Sequence, residues 1–249
     1  MKRLVLTSLC VLFITGTALA DWTQGDPYKM HYPQLPDPLG WDVSFTNISL
    51  ADDWQCSQTG YVKDIHSWVS SKGDNFPPEQ DSAVIHVSIY SDIPATESGT
   101  GYSMPGTLLW DRTFTGSQYD SGPDETGDQG WLDPVTGNAI PHDHKTYGIV
   151  NIENIDDPFL QQEGTIYWLG IQVSEQTPYE DGWKTSENHW NDDAVYLSPA
   201  GGWQELKYPS NDPLGRGGNS IDLAFVVTPE PATICLLGLG ALSLIRRKK

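Results

Sequence analysis

The sequence predicts an all-β body, a single jelly-roll-like antiparallel β-sandwich of about eight strands. Segments with 3.6-residue periodicity are absent between residues 21 and 228, whereas short alternating or apolar runs bounded by Gly, Pro, Asn and Asp recur throughout. Eight such runs suit two packed sheets of four.

In chain order, residues 41–50 (WDVSFTNISL) alternate, with a phase slip at Asn47 that reads as a bulge. Residues 61–70 (YVKDIHSWVS) and 82–91 (SAVIHVSIYS) follow. In the latter, Ala83, Ile85, Val87 and Ile89 define one apolar face, and Val84, His86, Ser88 and Tyr90 the other. Residues 107–114, 146–154, 165–174, 193–197 and 221–227 complete the set. Between them, residues 91–106 and 115–145 read as long loops rich in turn formers, and such loops are functional or poorly ordered. There is no internal repeat, and one domain over residues 21–228 is the economical reading.

The two ends differ from this body. Lys2 and Arg3 precede an apolar stretch over residues 4–14 and then Ala18-Leu19-Ala20, the three-part layout of a secretory signal peptide over residues 1–20. At the other end, residues 229–249 hold Pro229-Glu230-Pro231, an apolar run over residues 232–245, and Arg246, Arg247, Lys248 and Lys249. As a helix that run spans about 21 Å, short of the roughly 30 Å hydrocarbon core, so it predicts a short transmembrane helix and a weak anchor. The terminal cations are expected to stay cytoplasmic, leaving the body outside.

Residues 21–228 carry 8 basic and 32 acidic side chains, a formal charge of −24. Such a charge disfavours nucleic acid and anionic lipid as partners. Of three cysteines, Cys10 lies in the leader and Cys235 in the terminal run, so Cys56 alone remains and no disulfide forms within the body. Burial is its expected fate.

Candidate sites are few. Asp124, Glu125 and Asp128 offer oxygen ligands for calcium in a glycine-containing loop without EF-hand spacing. Residues 189–194 (HWNDDA), with Asp192 and Asp193, and residues 50–54 (LADDW) each set paired aspartates beside tryptophan, another calcium pattern. His142 and His144 could present two imidazoles to a metal from one strand face. Trp131, Trp183, Trp190 and Trp203, flanked by Gly, Asn and Asp, are candidates to stack on sugar rings from loops, whereas Trp41 and Trp168 read as core. No serine elbow, phosphate-binding loop or H-E-x-x-H is present, and no two of the acids stand out as a glycosidase pair.

The tripartite C-terminus resembles the PEP-CTERM sorting signal of Gram-negative and related bacteria. The resemblance implies processing by an exosortase, a membrane-embedded cysteine protease, and association with surface layers or exopolysaccharide. The body, through such segments as "IHVSIYSDIP", "IDDPFLQQEGTIYWLGIQV" and "GWKTSENHWNDDAVY", resembles an uncharacterised β-sandwich domain of secreted bacterial proteins, notably of planctomycetes. That domain brings no established activity or catalytic residue.

The expectation is therefore a non-enzymatic exported protein of the cell surface or extracellular matrix, needing no cofactor. Its partners would be the Sec machinery, an exosortase and an exopolysaccharide or other glycan, with a transient inner-membrane stage. The alternatives are a carbohydrate-binding module, calcium-dependent or not, and an extracellular hydrolase.

Overall fold

The computed structural model describes residues 22–77, 82–122, 124–174 and 179–229. The segment expected to be a signal peptide, Glu230, Pro231, the apolar run and the four terminal cations lie outside the described residues. Among the described residues no helix is long and apolar enough to cross a membrane.

The chain is all-β. Its strands are β1 (Trp41–Ser44), β2 (Leu50–Gln55), β3 (Gly60–Val62), β4 (Asp64–Ser71), β5 (Val84–Ile93), β6 (Met104–Thr115), β7 (Asp120–Ser121) and β8 (Glu125–Leu132). They continue with β9 (Ala139–Ile152), β10 (Phe159–Gln161), β11 (Ile166–Ser174), β12 (Asp181–Lys184), β13 (Val195–Leu197), β14 (Trp203–Glu205) and β15 (Phe225–Thr228). A seven-stranded sheet runs β15-β4-β12-β1-β8-β9-β7, a six-stranded sheet runs β14-β13-β2-β11-β5-β6, and β10 pairs β3.

Among the described residues the expected eight strands become fifteen, for identifiable reasons. Residues 41–50 are two strands in two different sheets, because Asn47 at φ 59° turns a corner that the phase slip disguised as a bulge. The supposed loop over residues 115–145 contains β7, β8 and the first half of β9, so its turn formers mark tight turns and bulges. The supposed loop over residues 91–106 holds a four-residue helix, Ala95–Ser98, and the start of β6.

The apolar face read for residues 82–91 is the observed one, since Ile85, Val87 and Ile89 are buried. They join a single core that takes residues from both large sheets. Phe225 of β15 sits at its centre, edge-on to Trp54 of the six-stranded sheet at 6.4 Å and to Trp183 of the seven-stranded sheet at 6.1 Å. Cys56 is buried, its thiol donating to the Gln58 carbonyl at 3.2 Å.

The seven-stranded sheet closes on itself. β4 pairs β12, β12 pairs β1, β1 pairs β8 in parallel, β8 pairs β9, and β9 returns to β4. Strand alternation turns Val43 and Trp183 to the apolar core, and Asp42 and Lys184 the other way, into the ring. There Asp42 Oδ2 meets His144 Nε2 at 3.0 Å and Lys184 Nζ at 3.6 Å, and Lys184 donates to Gln129 Oε1. All four residues are essentially sealed from solvent. Burial opposes charge on Asp42, but Lys184 and His144 outweigh it and hold the carboxyl below its usual range. Burial lowers the Lys184 ammonium, with Asp42 opposing. Gly182 makes the packing feasible, since a Cβ there would lie 2.7 Å from Trp131 Cζ3 and 2.9 Å from Asp42 Cβ.

Candidate functional site

The outer face of the six-stranded sheet carries a second aromatic cluster, separate from the core. On β2, alternation sends Leu50 and Trp54 inward and Ala51 and Asp53 outward. On β11 and β5 it exposes the outer face to Trp168, Gly170 and Tyr90. The Tyr90 ring lies over Gly170, where an added Cβ would fall 2.9 Å from its edge. Tyr90 meets Trp203 of β14 edge-on at 5.8 Å, and Tyr102 donates to the Trp203 carbonyl at 2.9 Å. Trp168 is fully buried beneath them and donates Nε1–H to Asp92 at 2.9 Å. Tyr90, Tyr102 and Trp203 are half-buried, so each keeps ring surface facing water.

The face continues toward residues 189–193. Ser103 donates both its N–H and its hydroxyl to Asp192 Oδ2, at 2.7 Å each. Trp190 stacks on His31 with ring centroids 4.1 Å apart and planes at 19°.

Beneath this rim the segments that carry the two aspartate pairs singled out in the sequence come together, 138 residues apart where Asn191 meets Asp53. Asn191 donates to Asp53 Oδ2. Asp52 accepts from Gln34 at 3.0 Å, Leu223 N–H at 2.6 Å and Asp53 N–H at 2.8 Å. The same Gln34 amide reaches Asp222 at 3.5 Å, which also accepts from Trp190 N–H at 2.6 Å and meets His189 Nδ1 at 2.8 Å. Burial drives the Asp222 carboxyl up to about 8, and the nearby Asp193 and Asp192 charges add to it. Asp52 and Asp53 are raised well above the usual range, first by burial and then by Asp222 and Asp52 respectively. Asp53 Oδ1 is buried without a hydrogen-bond partner.

The structure redistributes the tryptophan candidates. Trp131 on β8 and Trp183 on β12 are fully buried, because the segments read as loops are strands. Trp131 fills the ring beside His144, and Trp183 packs on Phe225 and donates to the Ala224 carbonyl at 2.9 Å. Neither can face a sugar. Trp190 and Trp203 stay half-buried at the outer face.

The acidic candidates do not converge. Asp124 is exposed, Glu125 accepts from the Tyr147 hydroxyl at 3.1 Å, Asp128 pairs with His142 at 2.5 Å, and Asp193 accepts from Lys207 at 2.8 Å. His142 and His144 part company because His142 sits at φ 56°, which breaks strand alternation and leaves one imidazole exposed and the other in the ring. Among the described residues no group of three or more His, Cys, Asp or Glu side chains is arranged to hold a metal ion.

A cleft of about 690 Å³ opens between the sheets, with Phe45, Ile85, Ile149 and Ile171 on its apolar side and Ser67 and Ser71 on its polar side. Its lining ends at Pro77 and Ser82, on either side of residues 78–81, which lie outside the described residues.

The outer face, the ring and the core are thus parts of a β-protein whose tail carries an address. Residues 227–249 match the PEP-CTERM protein-sorting motif, which marks an exported, cell-surface-associated substrate of an exosortase. Residues 30–228 match the domain of unknown function DUF7901, and the chain belongs to that family. No curated protein matches the chain.

Proposed function

We propose that the chain is a non-enzymatic component of the cell surface or extracellular matrix that holds a neutral glycan against the outer face of its six-stranded sheet. The body is a jelly-roll-like sandwich delivered through the Sec machinery by its signal peptide, held briefly in the inner membrane by residues 232–245, and released into an exopolysaccharide matrix by the exosortase.

One observation carries the reading: Tyr90, Tyr102 and Trp203 form a contiguous aromatic surface outside the core, with Trp190 further along the same rim. Rings of this kind give large contact area at low entropic cost. The body around them carries a formal charge of −24, so an anionic polymer would be repelled and a neutral one is favoured. The acids of this region are engaged by Asn191, Trp168 and Ser103, which suits positioning of the rings more than metal capture or hydrolysis.

Binding of the purified protein to a panel of neutral and anionic polysaccharides tests this. Trp203→Ala is expected to weaken binding to a neutral glycan at least about tenfold, or ~1.4 kcal/mol, with calcium making no difference. Equal binding by the variant would refute the face, and release of new reducing ends would mark a hydrolase instead.

A further inference from the structure

The interior of the β-ring brings together the three groups needed to make an amide bond. Lys184 on β12 supplies an amine, Gln129 on β8 a carboxamide, and Asp42 on β1, the strand between them, an acid–base group. Lys184 and Asp42 are cross-strand partners in register, and Gln129 is the register partner of His144 on β9. Lys184 donates to the Gln129 amide oxygen, while Gln129 Nε2 donates to the Pro38 carbonyl. The amide is therefore held at both ends, with its carbonyl turned to the lysine. Asp42 Oδ2 stands 3.6 Å from Lys184 Nζ and 3.0 Å from His144 Nε2, and His144 Nδ1 is anchored by Asp143 at 3.1 Å.

Tyr147, its ring 4.7 Å from Lys184 Nζ, and Trp131, edge-on to His144 at 6.2 Å, wall off the chamber. Water is excluded, so the amine is favoured in its neutral, nucleophilic form, and hydrolysis of a product amide is suppressed. A buried lysine held only as an ion would bear a desolvation cost that a single carboxylate repays poorly.

We propose that Lys184 and Gln129 form an intramolecular isopeptide bond that staples β12 to β8 across β1. The Asp42 carboxylate takes a proton from the Lys184 ammonium, and the freed amine attacks Gln129 Cδ. A bond forms between Nζ and Cδ as the Cδ–Nε2 bond breaks. The second proton of the attacking nitrogen passes through Asp42 to the leaving nitrogen, which departs as ammonia and removes the first proton as ammonium, restoring the carboxylate. No oxidant or reductant takes part. His144 acts as a positioning residue for Asp42.

The bond suits this chain's circumstances. Within the described residues Cys56 is the sole cysteine, so no disulfide braces a body that repels itself by its own charge.

Protease digestion and mass spectrometry of the full chain, purified in its folded form from the cell that exports it, provide the test. The expected product is one branched peptide containing Gln129 and Lys184 and lighter than its two parts by one ammonia. Lys184→Met and Gln129→Leu should abolish it, and Asp42→Asn should leave two linear peptides in a protein whose near-ultraviolet circular dichroism shows native packing. If a variant fails to fold, the wild-type digest alone decides. Separate linear peptides from folded wild-type protein would overturn the proposal, and so would a branch joining Lys184 to Asp42 with loss of one water.

Discussion

Replacing Asp222 by Asn should change how stability depends on pH. The Asp222 carboxyl titrates near 8 in the folded chain against an ordinary value of 3.8, because it is buried among Asp52, Asp192 and Asp193. Between those two values the folded state binds more protons than the unfolded state, so stability falls as pH rises. Asp222 contributes its full stabilisation below about pH 4 and loses it as the pH passes through 8. Each unit is worth about 1.4 kcal/mol, and the whole span is on the order of 6 kcal/mol, a large part of the 5–15 kcal/mol typical of a domain. Asp52 and Asp53 share the direction of the effect, because burial raises them too. Asn keeps the acceptor for Trp190 N–H and offers a donor where the protonated acid has one. Urea unfolding followed by tryptophan fluorescence at pH 5, 6, 7 and 8 gives the comparison. Wild type should lose stability across the series, and Asp222→Asn should lose about 1.4 kcal/mol per unit less, ending several kcal/mol more stable at pH 8. Parallel pH profiles for the two proteins would show that Asp222 is ionised in the folded state and would refute the reasoning.

Two further outcomes follow from other parts of the molecule. Gly182→Ala places a methyl 2.7 Å from Trp131 and 2.9 Å from Asp42, both fully buried, and is expected to destabilise by about 1–3 kcal/mol in the same urea assay. Glu230→Ala, or removal of Arg246, Arg247, Lys248 and Lys249, should leave the protein in the inner membrane; cell fractionation that finds either variant at the surface would refute the sorting role of those residues.

The sequence disclosed fold class and destination because both are written locally. Strands announce themselves by alternation, as Ile85, Val87 and Ile89 do, and the sorting motif occupies one contiguous stretch. What sequence reading missed depends on contacts between distant segments. β8 and β12 hold too few apolar residues in alternation to register as strands, because Gln129, Gly182 and Lys184 share the ring-facing positions with Trp131. The same polar interior made Trp131 and Trp183 look like loop residues. Asp222 gave no signal beside Asp52, from which it is 170 positions removed, and Tyr90 and Tyr102 became a surface only once β11 supplied Gly170 and β14 supplied Trp203. The paired aspartates were visible as motifs, but their meeting was not.

β15 also bears on the order of events during export. Its last residue, Thr228, is buried, donates to Asp64 at 3.2 Å and accepts from Lys63 N–H at 3.4 Å, and Pro229 of the sorting motif follows at once. No spacer separates the closing strand of the fold from the processing motif. A protease that needs several residues of extended chain in its cleft must therefore either peel β15 from β4 or act before the two have paired. If the exosortase acts beside Pro229, as proposed, delivery and folding compete for the same four residues, and a change that speeds the docking of β15 is expected to slow processing.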